Sequence, residues 1–266
     1  MTIRTLSPAA ALASAALVLT GCAGGGPGDG DTALTVAAAT PPMTDVVEAA
    51  AEAIGDGYTI EMVEVADYVQ PNVMLEAGEL DANFVQHVPF MEEFNAANGA
   101  SLVGVQPVYL TAVAFYSKDL TDIQDLPEDG RVTLPADASN TGRALQMLAD
   151  EGLITLAEGT ERFGAALEDV AENPRNLQFT QVDLLQLNAA YEEADAVFNL
   201  PAFAGQIDLS PFEDGLVVEE DPQFAVTLVT RADDADSPET AALREAFTSE
   251  EVRRVLEDEF NTHTAF

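Results

Sequence analysis

The residue of this chain best suited to chemistry is His87, within the stretch DANFVQHVPF from Asp81 to Phe90. It is one of only two histidines in 266 residues. An imidazole here could be a metal ligand, a catalytic base, a buried core residue or the wall of a ligand pocket. The other histidine, His263, lies far away near the C-terminus, and no HExxH or CxxC pattern occurs. The spacing therefore argues against a metal site and gives a catalytic base no partner.

A second candidate site is the stretch LPADASNTGRALQML, where a strand is predicted to end and a helix to begin. We expect Asn140 to be the N-cap of this helix and Arg143 to lie in its first turn. An arginine at that end opposes the helix dipole unless an anion binds there too. Free N–H groups and a planar guanidinium can together hold a carboxylate. The alternative is a surface arginine that pairs with a neighbouring aspartate.

Asn199 is a third candidate because it ends the apolar run ADAVFN, where a strand would open into a cleft. Its amide could pair with a ligand's amino or carboxylate group, but an asparagine before Pro201 is equally typical of a turn. No Walker A loop, no GxGxxG after a strand and no Gly-x-Ser-x-Gly elbow is present. We therefore predict no cofactor.

The charge balance narrows the class of partner. The sequence has 47 acidic and 10 basic residues, a formal net charge of −37, and Lys118 is its single lysine. Such a surface repels nucleic acid and anionic lipid, so neither is an expected partner. With 47 carboxylates in the sequence, the presence of two that could act as a catalytic acid and base does not indicate an enzyme.

The N-terminus has the pattern of an export signal. Arg4 precedes a short apolar run, and the run ends in LTGC at Cys22, the only cysteine in the chain. This pattern resembles a bacterial lipobox, in which the cysteine becomes the lipidated first residue. Residues 1–22 are thus predicted to be a lipoprotein signal peptide and residues 23–33 a flexible tether. We expect an extracytoplasmic, lipid-anchored protein at the cell membrane.

Beyond the tether, short strands and helices alternate, which predicts an α/β protein with largely parallel sheets. We expect two lobes, one formed by residues 34–111 plus 214–266 and the other by residues 112–213. The crossover segments are predicted near 110–116 and 205–217, with continuous strand character over 101–118. Periodicity also predicts helices over 161–173 and 184–194. A cleft between two such lobes is a usual place for a small ligand.

Several motifs resemble, in colinear order, the NlpA/MetQ-type family, the methionine-binding lipoproteins of ABC importers. They are DYVQPN (67–72), GELDANFVQHVPF (78–90), SNTGRAL (139–145), VAENPRNL (170–177) and AVFN (196–199). The resemblance implies a type II periplasmic-binding-protein fold and an ABC permease as partner. It implies that Arg143 holds the ligand carboxylate, and that Asn140 and Asn199 hold its polar groups. The implied aromatic wall comprises Tyr68, Phe84, His87, Phe90 and Tyr109.

Some positions depart from the family pattern. Leu200, Pro201 and Phe203 replace an asparagine, small polar residues and a tyrosine, and the loop TPPMTDVVE lacks a frequent histidine. Phe90 stands where tyrosine is usual, and Val88 where lysine is common. The carboxylate clamp survives, and the implied ligand is methionine, in its D or L form, or a related amino acid or dipeptide. The alternatives are a membrane-anchored enzyme with His87 as base, and a non-transport sensor or adhesin.

Overall fold

The structure of the protein, a computed structural model, describes residues 31–260 and 262–266. The predicted signal peptide, the lipidation site Cys22 and the tether up to Gly30 lie outside these residues. Within the described part of the chain, no helix is both long enough and apolar enough to span a membrane.

The elements alternate along the chain as the sequence predicts. The strands are β1 (Thr32–Ala38), β2 (Tyr58–Glu64), β3 (Ala82–His87), β4 (Leu102–Tyr109), β5 (Val113–Tyr116), β6 (Arg131–Pro135), β7 (Thr155–Leu156), β8 (Val170–Glu172), β9 (Gln178–Val182), β10 (Ala196–Asn199), β11 (Val217–Glu219) and β12 (Val226–Arg231). The helices are α1 (Met43–Ala53), α2 (Gln70–Glu76), α3 (Val88–Asn98), α4 (Ala138–Asp150), α5 (Leu187–Ala190), α6 (Pro201–Ala204), α7 (Pro211–Asp214), α8 (Pro238–Phe247) and α9 (Glu250–Arg254), the last continued by a π-helical turn.

The first sheet has the strand order β2-β1-β3-β12-β4 and, with its helices, forms lobe one. β1 pairs in parallel with β2 and β3, whereas β12 returns antiparallel between β3 and β4. Helices α1, α8 and α9 pack on one face of this sheet, and α2 and α3 pack on the other. Because both faces are covered, β3 is buried along its whole length, polar residues included.

The second sheet has the order β11-β5-β10-β6-β9 and forms lobe two. Helix α4 packs on one face through Leu145 and Leu148, while α5 and α6 pack on the other. The chain passes from lobe one to lobe two between β4 and β5 and returns between β11 and β12.

Two boundaries differ from the sequence prediction. The stretch 101–118 is not one strand, because β4 and β5 belong to different sheets and are separated by residues 110–112. Val217–Glu219 pairs with β5 in lobe two, although residues 214–266 were assigned to lobe one. Strand periodicity is the same on either side of a crossover, so it does not show where the chain changes sheets.

The helix predicted over 161–173 is wrong. Residues Leu167–Asp169 form a 3-10 turn that leads into β8, and Phe163 has a positive φ of 63°. This segment lies against the second turn of α4, where a Cβ at Gly142 would be 2.1 Å from the carbonyl oxygen of Phe163. Contact with α4 therefore outweighs local helical periodicity. The helix predicted over 184–194 is shorter and is limited to a 3-10 turn followed by α5.

Candidate ligand-binding site

A cavity of about 480 Å³ lies between the two lobes. Lobe one contributes the ends of β3 and β4 and the loop after β1, and lobe two contributes the start of α4 and the segment after β10. The ends of β1, β3, β6 and β10 where these segments begin are carboxyl ends, the usual location of ligand sites in open α/β sheets. The volume falls within the range of about 300–1,000 Å³ that is typical of small-molecule pockets.

The wall of the cavity is mainly apolar and carries no formal charge. None of the described residues that line it is Asp, Glu, Lys or Arg. Nor do the described residues contain a group of His, Cys, Asp or Glu side chains that could hold a metal ion. The polar lining residues are Thr40, Tyr68, Gln86, His87, Tyr109, Thr111, Asn140, Gln206, Ser210 and Thr262. The lining residues themselves therefore offer a ligand hydrogen bonds and apolar contact.

His87 lines the cavity and is also the N-cap of α3, with only 4% of its surface exposed. Its Nδ1 accepts a hydrogen bond from the Phe90 N–H at 3.2 Å, so the ring proton is assigned to Nε2. Nε2 then donates across the cleft to Asn140 Oδ1 at 3.4 Å. Burial lowers the pKa of His87 to about 3, and the positive charge of Arg143 contributes. His87 is thus neutral at physiological pH and is a weak general base.

Two aromatic rings contact His87, and further aromatic residues line the cavity. The ring of Phe224 meets the imidazole edge to face at a centroid distance of 5.1 Å, and the ring of Phe90 does so at 6.3 Å. Tyr68 in lobe one contacts Phe203 in lobe two edge to face at 5.4 Å. Burial raises the pKa of both Tyr68 and Tyr109, so these phenols remain neutral. Four of the residues predicted to contact ligand line the cavity, namely Tyr68, His87, Phe90 and Tyr109.

Asn140 also lines the cavity, but it is not the N-cap of α4. That role belongs to Asp137, whose Oδ1 accepts hydrogen bonds from both the backbone N–H and the side-chain amide of Asn140, each at 2.9 Å. The anions at this helix end are therefore carboxylates of the chain itself. Burial raises the pKa of Asp137. Asn140, three residues after this N-cap, turns its Oδ1 towards His87.

Arg143 does not line the cavity and is fully buried, so the surface-arginine alternative is wrong. Its Nε donates to the carboxylate of Glu219, and its Nη2 donates to the Thr111 carbonyl at 2.7 Å. The guanidinium lies over the ring of Phe224, 4.2 Å from its centroid. The remaining nitrogen, Nη1, is buried and has no hydrogen-bond partner in the part of the chain that the structure describes. Arg143 is thus adjacent to cavity residue Thr111 and retains one unengaged donor nitrogen.

Phe84 and Asn199 were predicted to bind ligand but do not line the cavity. Phe84 is fully buried in the core of lobe one, 5.1 Å from Phe247 and 5.9 Å from Tyr109. It sits in the middle of β3, and only the end of this strand reaches the cleft. Asn199 accepts a hydrogen bond from the Leu200 N–H and donates to Asn188, as expected of the turn alternative.

Sequence reasoning missed much of the cavity wall because these residues are small or apolar. They include Thr40, Pro41, Pro42, Met43, Thr111, Ala112, Leu209, Phe212 and Val226. The sequence feature that could have identified them is their position, because many of them directly follow a strand. Leu200, Pro201 and Phe203, noted above as departures from the family pattern, all line the cavity.

Gln86 at the cavity wall belongs to a buried amide cluster beneath His87. Asn72 donates to Gln86 at 2.8 Å, Asn83 donates to Asn72 at 2.8 Å, and Gln86 donates to Asn83 at 2.9 Å. These residues come from the motifs DYVQPN and DANFVQH. The cluster ties α2 to β3 and holds the end of this strand in place.

Comparison with known proteins identifies the family. The profile of the NlpA lipoprotein family matches residues 34–265, almost the whole of the described chain. The chain belongs to the NlpA lipoprotein family. Members of this family are substrate-binding proteins and not enzymes, which confirms the sequence interpretation of a binding protein.

Relatives of this NlpA-family chain resemble it over most of their length. The probable D-methionine-binding lipoprotein MetQ of Haemophilus influenzae is 33% identical, covering 98% of this chain and 97% of the relative. A lipoprotein of the YaeC family from Enterococcus faecalis is 40% identical with a TM-score of 0.78, covering 89% of this chain and 100% of that one. A nutrient-binding protein from Burkholderia cenocepacia bound to methionine is 30% identical with a TM-score of 0.83, covering 88% and 100%. The predicted two-lobed fold is confirmed.

Proposed function

We propose that this NlpA-family lipoprotein is the extracytoplasmic substrate-binding component of an ABC importer. It captures methionine, in its D or L form, or a closely related amino acid or dipeptide, by closure of its two lobes. The observation that carries the proposal is the interlobe cavity, whose lining combines aromatic residues from lobe one with polar residues that include Asn140 and Thr111. Ligand that contacts both lobes favours the closed state by population shift.

The aromatic wall suits a thioether side chain. Contacts between a methionine sulfur and aromatic rings contribute about 0.3–1.5 kcal/mol each. Tyr68, His87, Phe90 and Tyr109 offer such rings on one side of the cavity, and Phe203 offers another from lobe two. The neutral state of His87 supports this role because a protonated imidazole would not face an apolar ligand without cost.

Unpartnered polar atoms next to the cavity support recognition of the charged ends of an amino acid. Thr111 Oγ1, Arg143 Nη1 and Glu219 Oε1 are all buried, and none has a hydrogen-bond partner among the described residues. A ligand carboxylate would meet the Thr111 hydroxyl and Arg143 Nη1. In this arrangement Arg143 remains the partner of the ligand carboxylate, but it donates through Nη1 alone. Its Nε and Nη2 atoms already donate to Glu219 and to the Thr111 carbonyl.

A ligand panel tests the proposal. Calorimetry and thermal unfolding would compare L- and D-methionine, methionine dipeptides, norleucine, N-acetylmethionine and methioninamide. Methionine or a methionine dipeptide should raise the unfolding midpoint, and the rise should grow with the logarithm of free ligand concentration once this exceeds Kd. Methioninamide, which lacks the carboxylate, should bind more weakly than methionine. A panel without any midpoint shift would overturn the proposal and favour the sensor or adhesin alternative, and turnover of any ligand would favour an enzyme.

The membrane anchor and the permease are parts of the same proposal. Cys22 is the proposed lipidation site. A Cys22→Ser variant should move from the membrane fraction to the soluble extracytoplasmic fraction and lose incorporation of labelled palmitate. Retention in the membrane fraction together with palmitate labelling would contradict the assignment. Methionine uptake that depends on a co-expressed permease would test the partner.

A further inference from the structure

Glu93 makes a direct contact between the two lobes that needs no ligand. It lies on α3 in lobe one, but its carboxylate reaches the N-terminus of α4 in lobe two. Its Oε1 accepts from the Ala138 N–H at 3.2 Å, and its Oε2 accepts from the Ser139 N–H at 3.3 Å. Glu93 lies in the middle of α3, and its carboxylate caps the start of a different helix.

This contact completes the hydrogen bonding at the start of α4. A helix leaves its first N–H groups without intrahelical partners, and its positive end attracts anions. Asp137 satisfies the N–H of Asn140, and the backbone carbonyl of Asp137 accepts from Thr141. Among residues 31–260 and 262–266, the other two donors, on Ala138 and Ser139, have only Glu93 of lobe one as acceptor. Separation of the lobes would therefore return both N–H groups to water.

We propose that Glu93 is a positioning residue for ligand capture, which holds α4 against lobe one and favours the closed arrangement. Helix α4 carries Asn140, and Asn140 faces His87 of lobe one across the cavity. A carboxylate that fixes the start of α4 on lobe one thus sets the spacing of the two walls. Glu93 does not line the cavity, so it acts on affinity only through the position of the helix.

Paired variants separate this contact from general effects of charge. Glu93→Ala removes both acceptors, and Glu92→Ala is the matched control because Glu92 is exposed and adjacent in sequence. Ala138→Pro removes one of the two donors from the other side. Ala138 is the first residue of α4, where proline is well tolerated, and Asp137 before it has the extended backbone that a following proline requires, at φ −70° and ψ 142°.

The measurement is the distance between the lobes in ligand-free protein. Spin labels would be attached through Glu52→Cys in lobe one and Glu158→Cys in lobe two, both exposed, in a Cys22→Ser background. Glu93→Ala should lose the short-distance population, Ala138→Pro should lose part of it, and Glu92→Ala should retain it. In protein that already carries Glu93→Ala, the further change Ala138→Pro should not alter the distance distribution. Unchanged distances in Glu93→Ala, or an equal effect of Ala138→Pro in both backgrounds, would overturn the proposal.

The consequence for affinity rests on the proposed function, whereas the lobe contact does not. In methionine calorimetry, Glu93→Ala should weaken binding about two- to fivefold relative to Glu92→Ala. A loss of the short distance without methionine binding in any variant would leave the contact established and refute the proposed ligand. Normal methionine binding together with unchanged distances in Glu93→Ala would support the proposed ligand and refute the role of the Glu93 contact.

Discussion

The Nε2 atom of His87 in lobe one lies 3.4 Å from the Oδ1 atom of Asn140 in lobe two. Each residue is also fixed on its own side, His87 as the N-cap of α3 and Asn140 by two hydrogen bonds to Asp137. The pair therefore spans the cleft between two rigid supports. A ligand in the cavity contacts both residues only when the lobes keep this separation.

The ring of His87 should be needed for binding more than for folding. His87→Asn retains an acceptor for the Phe90 N–H, because asparagine is a good N-cap, but removes the ring from the cavity wall. We expect methionine affinity to fall about tenfold in calorimetry, the upper end of a single thioether–aromatic contact. His87→Ala should additionally lose about 1 kcal/mol of unfolding free energy with the cap. Unchanged affinity of His87→Asn would contradict the pocket-wall role.

His87 should make stability fall in mild acid. Its folded pKa of about 3 lies below the usual 6.5, so between these values the unfolded chain binds a proton that the folded chain excludes. Stability from this residue is therefore present above pH 6.5 and is lost as the pH falls, by about 1.4 kcal/mol per pH unit. Urea unfolding at pH 7, 6 and 5 should show a steeper loss for the wild type than for His87→Gln. Parallel curves would contradict this.

Arg143 and Glu219 should be strongly coupled. Glu219→Gln leaves the buried guanidinium without its carboxylate, which should cost about 3–5 kcal/mol of unfolding free energy. Adding Arg143→Met to Glu219→Gln should recover part of that loss, because no uncompensated charge remains. The exposed pair Arg131 and Asp195 is the control, where Arg131→Met should change stability by less than about 1 kcal/mol. The coupling would be refuted if, in denaturant titrations, the losses of unfolding free energy in Arg143→Met and Glu219→Gln simply added in the double variant.

Gly142 should resist substitution because of packing. Alanine favours a helix interior over glycine by about 1 kcal/mol, so propensity alone predicts that Gly142→Ala stabilises. A Cβ there would approach the carbonyl oxygen of Phe163 to 2.1 Å, so we expect instead a loss of about 1–3 kcal/mol. Gly55→Ala, where no atom lies within 4 Å of the new Cβ, should be nearly neutral in the same thermal unfolding assay. A stabilised Gly142→Ala would show that the 163–165 segment moves freely.

The sequence predicted the element order well because strands and helices repeat apolar residues with different periods. It placed β1 to β3, α1 to α4 and the two-lobed arrangement, and it brought His87, Phe90 and Asn140 to strand ends and helix starts. It could not locate the lobe crossovers, since β4 and β5 share one strand-like pattern. It also overestimated the helix at 161–173, where contact with Gly142 decides the conformation.

The chain by itself therefore determined the alternation of elements, the family and the neutral aromatic surroundings of His87, because these follow from residue types in local order. Only the tertiary structure decided which polar groups meet. It placed Arg143 behind the cavity wall with Glu219, Asn199 in a turn, and Glu93 of one lobe at the helix end of the other. These pairings join residues distant in sequence, and partner choice among 47 acidic residues depends on packing that no local pattern records.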